Sequence, residues 1–72
     1  MSKKAISINQ GEEYITLNVL LKITDIISTG GMAKAFLAEN IVLVNGESEN
    51  RRGRKLYRGD VIEVLNSTFV IE

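Results

Sequence analysis

The sequence predicts an α+β domain, two short helices packed on a small, mostly antiparallel sheet. Three observations carry that reading. Apolar residues recur at helical spacing in two stretches, Leu17, Leu20 and Leu21, then Ala33, Phe36 and Leu37. Later come apolar runs of strand length, Ile41-Val42-Leu43-Val44, Val61-Ile62-Glu63-Val64 and Thr68-Phe69-Val70-Ile71. Behind the first of these runs stands Asn45-Gly46, the strongest short-range signal for a two-residue hairpin turn.

Taken in order, Ala5-Ile6-Ser7-Ile8 alternates like a short strand, and Glu12-Glu13-Tyr14-Ile15 continues it after an Asn9-Gln10-Gly11 turn. Thr16 sits where an N-cap belongs, ahead of Leu17, Leu20, Leu21 and Thr24. Asn18, Lys22 and Asp25 fall on the other side of that helix, and Ile26-Ile27 closes it. Ser28-Thr29-Gly30-Gly31 breaks to the second helix, with Ser28 or Thr29 as its cap and the glycines allowing a sharp turn. The second helix runs from Gly31 to Glu39, and Asn40 suits a left-handed residue at its end. Further turns are expected at Gly59-Asp60 and Asn66-Ser67.

A chain of 72 residues makes one domain with a modest core, and it holds no cysteine to staple that core with a disulfide or a thiolate metal site. No apolar run reaches the roughly 18 residues that would span a bilayer. A cytoplasmic protein with no membrane partner is the expectation. The formal net charge is zero, which argues against a nucleic-acid binder until its distribution is considered. Residues 1–50 carry −2, residues 51–58 carry +5 and residues 59–72 carry −3. Screening in cell-like salt limits each charge to about 8 Å, so the local patch survives the neutral total.

The pattern Ala33, Ile41, Val42, Val44-Asn45-Gly46 and Gly59-Asp60-Val61-Ile62-Glu63-Val64 resembles the S4 RNA-binding domain. The small stand-alone branch of that family, the YaaA/YbcJ-like proteins, is the nearer likeness. It is carried by Gly30-Gly31-x-Ala33-Lys34, Glu49-x-Arg51-x-Gly53-x-Lys55-Leu56 and Gly59-Asp60. The resemblance covers about residues 17–64. It implies an S4-like fold with the αL motif, filling a single domain over residues 1–72, and binding to structured RNA, with ribosomal RNA or the ribosome as the partner. Two positions depart from the wider family. Thr16-Leu17-Asn18 stands where Arg-Leu-Asp opens the first helix, and Thr29-Gly30 where Ser-Arg opens the second. The implied contacts therefore shift to Lys34 and the 51–58 loop.

Within that loop Arg51, Arg52, Arg54, Lys55 and Arg58 form the main candidate site. Arginine offers a planar fork of donors to phosphate, and lysine a point charge. Gly53 lets a ligand approach the backbone closely. The competing reading is a solvated loop whose arginines only pair with Glu47, Glu49 or Asp60. Gly30 and Gly31 ahead of a helix suit an anion site, with Lys34 on the first turn, or simply a tight helix–helix turn. Among the aromatic residues Phe36, Phe69 and Tyr14 read as structural, and Tyr57 beside the loop is the one candidate for base stacking.

Catalysis finds no support, since the chain lacks both histidine and cysteine. No cofactor, metal or small-molecule substrate is expected, and the protein is expected to be a monomer. Two functions from different classes remain. One is recognition of structured RNA through phosphate contacts, in ribosome assembly or on the ribosome. The other is a protein–protein interaction module whose basic loop docks an acidic protein surface.

Overall fold

The computed structural model describes residues 3–72. The chain opens with strand β1 (Lys3–Ile6), then β2 (Tyr14–Thr16), helix α1 (Leu17–Ile23), a 3₁₀ turn (Gly30–Met32) and helix α2 (Ala33–Glu39). Five further strands follow: β3 (Leu43–Val44), β4 (Glu47–Ser48), β5 (Lys55–Tyr57), β6 (Val61–Val64) and β7 (Ser67–Ile71). Five of the strands form one sheet in the order β1-β7-β6-β3-β4, and β2 and β5 form a separate two-stranded ribbon. Every pairing is antiparallel except β1 with β7, which is parallel. The α+β class is as expected.

The core lies where the apolar spacing puts it. Leu17, Leu20 and Leu21 of α1 are fully buried, as are Ala33 of α2, Val42, Leu56 and Ile62. Ile8, Ile27, Leu37, Val44, Val64, Phe69 and Ile71 complete the cluster, with Phe36 half-buried at its margin. Alternation along the strands explains the sheet's contribution. In β6, Ile62 and Val64 face inward while Glu63 is exposed.

Several local expectations are corrected. The first strand is Lys3–Ile6 rather than residues 5–8, and β2 does not extend it. Its partner is the chain's last strand, because pairing to β7 satisfies its backbone over the full register from Lys3↔Thr68 to Ile6↔Ile71. Helix α1 stops at Ile23, and Ile26-Ile27 lie beyond it. Asp25 adopts the left-handed conformation (φ 62°), its N–H donates to the Lys22 carbonyl, and the Ile26 N–H donates to that of Leu21. These are the two closing bonds of a Schellman motif, with aspartate in place of the usual glycine.

Neither Thr16 nor Thr29 caps through its side chain. The Gly30-Gly31 pair forms the 3₁₀ turn without positive φ, and α2 proper begins at Ala33. Asn40 is extended (φ −130°, ψ 145°), not left-handed. Its backbone N–H and its Nδ2 both donate to the Phe36 carbonyl, at 2.9 and 3.0 Å. The side chain closes the helix, so the backbone is free to run straight toward β3. The final turn is Leu65-Asn66, both at positive φ (50° and 64°), and Ser67 already belongs to β7.

The Asn45-Gly46 turn is as expected, with φ of 53° and 85° joining β3 to β4. It is also tied to the Gly59-Asp60 turn. Asn45 Nδ2 donates to Asp60 Oδ1 (3.1 Å), Asn45 Oδ1 accepts from the Val61 N–H (2.9 Å), and Asp60 Oδ2 accepts from the Tyr57 N–H (2.8 Å). Two turns far apart in sequence are thereby fixed in one place. Asn45→Ala removes two of these bonds and should destabilise the protein by about 1–2 kcal/mol. Urea unfolding checks this, and a loss below about 0.5 kcal/mol would show the turns to be independent.

Candidate nucleic-acid interface

Between β4 and β5 the chain runs from Glu49 to Arg54, and this segment is built rather than loose. The Arg54 N–H donates to the Arg51 carbonyl at 3.1 Å, which makes residues 51–54 a tight turn. Two of its carbonyls then reach the start of α1. The Leu17 N–H donates to Arg54 O (2.9 Å) and the Asn18 N–H to Arg52 O (3.0 Å). The first N–H groups of a helix have no partner inside the helix, and here the basic loop supplies one for two of them. That is why the Thr16 hydroxyl is left to donate to the Asn18 side chain instead.

Glu49 anchors the same turn from below. It is the one buried charged residue of the described chain, 7% exposed. Its Oε2 accepts from the Arg51 N–H (3.0 Å) and Arg51 Nε (2.9 Å), while Oε1 accepts from Arg51 Nη2 (3.2 Å) and Arg54 Nη1 (2.7 Å). The Arg51 guanidinium bond is the main cause that lowers its carboxyl from 4.5 to about 2; burial opposes the shift, and the Arg51 N–H and Arg54 add to it.

The basic residues therefore divide into two sets. Arg51 and Arg54 pair with Glu49, as the competing reading of the sequence anticipated. Arg51 nevertheless stays largely exposed, at 73% for its side chain, so its pairing anchors the fork without hiding it. Arg52, Lys55, Arg58 and Lys34 are exposed and have no carboxylate partner among the described residues. Arg58 Nη1 donates to the Glu12 carbonyl at 3.2 Å, and Lys55 Nζ lies over the Tyr14 ring, 5.0 Å from its centroid.

Gly30 and Gly31 meet this group through α1. A Cβ at Gly30 would sit 3.7 Å from Asn18 Nδ2, and the Asn18 N–H is the one held by Arg52. The start of the second helical segment and the basic loop thus flank the same end of α1. Lys34 stands exposed on the first turn of α2. Both glycines have room for a Cβ, so neither is demanded by backbone geometry.

Sequence reasoning did not foresee two features. Tyr14, read as structural, is 39% exposed and pairs with Tyr57, itself 48% exposed, with ring centroids 5.8 Å apart. Alternation was the available signal, since Ile15 and Leu56 point inward and their neighbours must point outward. Glu49 was read as one possible charge partner and as part of the family-like motif, not as a buried anchor. No sequence signal marked it as buried.

Among the described residues no three His, Cys, Asp or Glu side chains gather as a metal site requires, and no helix is long and apolar enough to cross a membrane. A small α+β domain with a basic turn clamped to its first helix is what the fold and surface define. The chain belongs to the S4 domain family, whose sequence profile matches residues 6–72. It is also 64% identical over 52 residues to the "Probable ribosome maturation protein RlbA" of Bacillus subtilis (strain 168), covering 72% of this chain and 73% of that relative.

Because Glu49 titrates lower when folded than when unfolded, it stabilises the protein fully above pH ~4.5, and that contribution is lost as pH falls toward ~2. Thermal unfolding should show the melting temperature dropping across this window. Glu49→Gln should melt lower than wild type at pH 7 and lose less on acidification. Parallel pH profiles for the two proteins would refute the assignment.

Proposed function

We propose that this protein binds structured RNA through phosphate contacts on the face formed by the 51–58 segment, the Gly30-Gly31 turn and Lys34. Ribosomal RNA during ribosome maturation is the target this reading names, in the cytoplasm, with the protein acting as a monomer and a binder rather than an enzyme. The observation that carries it is the clamp of the basic turn onto α1. A loop that only solvated its charges would have no need of two helix N–H bonds and a buried carboxylate to hold its shape. Family membership supports RNA as the ligand, and the name of the Bacillus subtilis relative supports the ribosomal setting.

Each group has a role that follows from its surroundings. Arg51 and Arg54 are oriented by Glu49 and offer their remaining donors in a fixed direction. Arg52, Lys55, Arg58 and Lys34 supply charge not already neutralised within the protein. Gly53 leaves backbone open to close approach, with no heavy atom within 4 Å of where a Cβ would stand, while the side chains of Asn18 and Thr29 border Gly30 and Gly31. Duplex or folded RNA suits this arrangement, being recognised through shape, phosphate and 2′-OH contacts.

Four cations without carboxylate partners predict a log–log salt slope of about −3 to −4 for binding an RNA hairpin, and a loss on the order of a hundredfold between 50 and 200 mM salt. Arg52→Glu with Lys34→Glu should abolish most binding at 100 mM salt and leave the melting temperature within a few degrees, because both side chains are exposed. Arg54→Glu is a different matter. It would set a second carboxylate against buried Glu49 and should destabilise the fold. A salt slope near −1, or a DNA hairpin bound as tightly as its RNA counterpart, would overturn the reading.

A further inference from the structure

The ribbon of β2 and β5 turns one face to the core and the other to solvent. Ile15 and Leu56 point inward, while Tyr14, Tyr57 and Lys55 lie outward, with Tyr14 directly opposite Tyr57 in the register. Beside them a shallow hollow of about 480 Å³ is lined by Tyr57, Lys55, Arg54, Gly53 and Arg51. Tyr57 thus borders the hollow together with the two arginines that Glu49 anchors. We propose that this hollow receives a single unpaired base of the bound RNA, stacked on Tyr57, with the adjoining phosphates held by Arg51 and Arg54. This rests on the RNA-binding reading above and adds to it a place for one flipped-out or bulged nucleotide.

Three details favour a nucleotide. First, the arginines are positioned and not used up. Arg51 spends Nε and Nη2 on Glu49, and Arg54 spends Nη1, which leaves Arg51 Nη1 and Arg54 Nη2 without a partner among the described residues. Second, the Tyr57 ring is braced. Tyr14 meets it at 54° with centroids 5.8 Å apart, and Lys55 Nζ lies 5.0 Å from the Tyr14 centroid. The cation is thus engaged with Tyr14, while Tyr57 is the ring that borders the hollow. Third, Gly53 has no heavy atom within 4 Å of where a Cβ would be, so that side of the hollow is open to a flat ring. A cross-strand aromatic pair also stabilises a ribbon by itself. That role still leaves Tyr57 48% exposed beside the anchored arginines.

Base–aromatic stacking strengthens binding by about 5- to 150-fold per base. The test uses the full chain and three RNA hairpins of the same stem at 50 mM salt: fully paired, with a single 2-aminopurine bulge, and with an abasic bulge. The bulged hairpin should bind at least about fivefold more tightly than either control, and its 2-aminopurine emission should fall on binding as the base stacks. Tyr57→Leu should remove that advantage, and Tyr57→Phe should keep it. The abasic hairpin asks the same question without altering the protein, so a Tyr57→Leu variant that fails to fold does not blunt the test. Adenosine monophosphate at equal concentration should not displace the bulged hairpin; equal displacement would overturn RNA as the source of the base. Equal binding of all three hairpins, with the salt slope intact, would overturn the stacking site and leave the phosphate interface standing. Failure of every hairpin to bind would overturn both.

Discussion

Glu49 is the constraint on which the shape of the basic turn depends. A carboxylate taken out of water is costly unless its oxygens are filled, and here four donors from two arginines and one backbone amide fill them. The same four bonds fold residues 49–54 back on themselves. Once that is done, the Arg52 and Arg54 carbonyls point at α1, and the helix receives partners for its first amides. Charge satisfaction, helix capping and presentation of the basic side chains are one event. Losing any one of them would loosen the other two.

The pairing of the loop's arginines with Glu49 is compatible with both readings of the basic loop. Arg51 and Arg54 do pair within the protein, and that pairing holds their exposed donors still. A flexible arginine loses conformational freedom when it grips a phosphate, whereas a side chain already fixed by a buried acid loses less. The neutral net charge of the chain is equally misleading. One of its nine acidic groups anchors the basic turn directly, and the other eight lie outside residues 49–58 in the sequence.

Much of the fold was legible because it rests on local rules. The apolar spacing of Leu17, Leu20 and Leu21 and the Asn45-Gly46 turn each specify their element without help from distant residues. What was not legible depends on partners far away in the chain. Thr16 looks like a cap, yet the loop more than thirty residues later supplies the bonds. Asn40 looks like a left-handed stop, yet its side chain closes the helix and releases an extended backbone. The pairing of β1 with β7 joins the two ends of the chain, and nothing local to Lys3–Ile6 foretells it. The site was legible in composition, as a run of cations, but its division into anchored and free members needed Glu49's burial.

The two-stranded ribbon shows how core packing shapes the exposed surface beside the basic turn. Leu56 must be buried to complete the core beneath α1, and its burial forces Lys55 and Tyr57 outward. Across the ribbon Ile15 does the same to Tyr14. The strand β5 begins at the residue after Arg54, so the aromatic pair cannot lie far from the anchored arginines. Core packing on one face of a three-residue strand therefore places rings and cations together on the other. A surface assembled this way is rigid at the backbone, because shifting it would expose Leu56 or break the α1 clamp. It is variable only in its side chains, so new ligand contacts on this scaffold can arise by substitution at Lys55, Tyr57 and Tyr14 while the fold beneath stays unchanged.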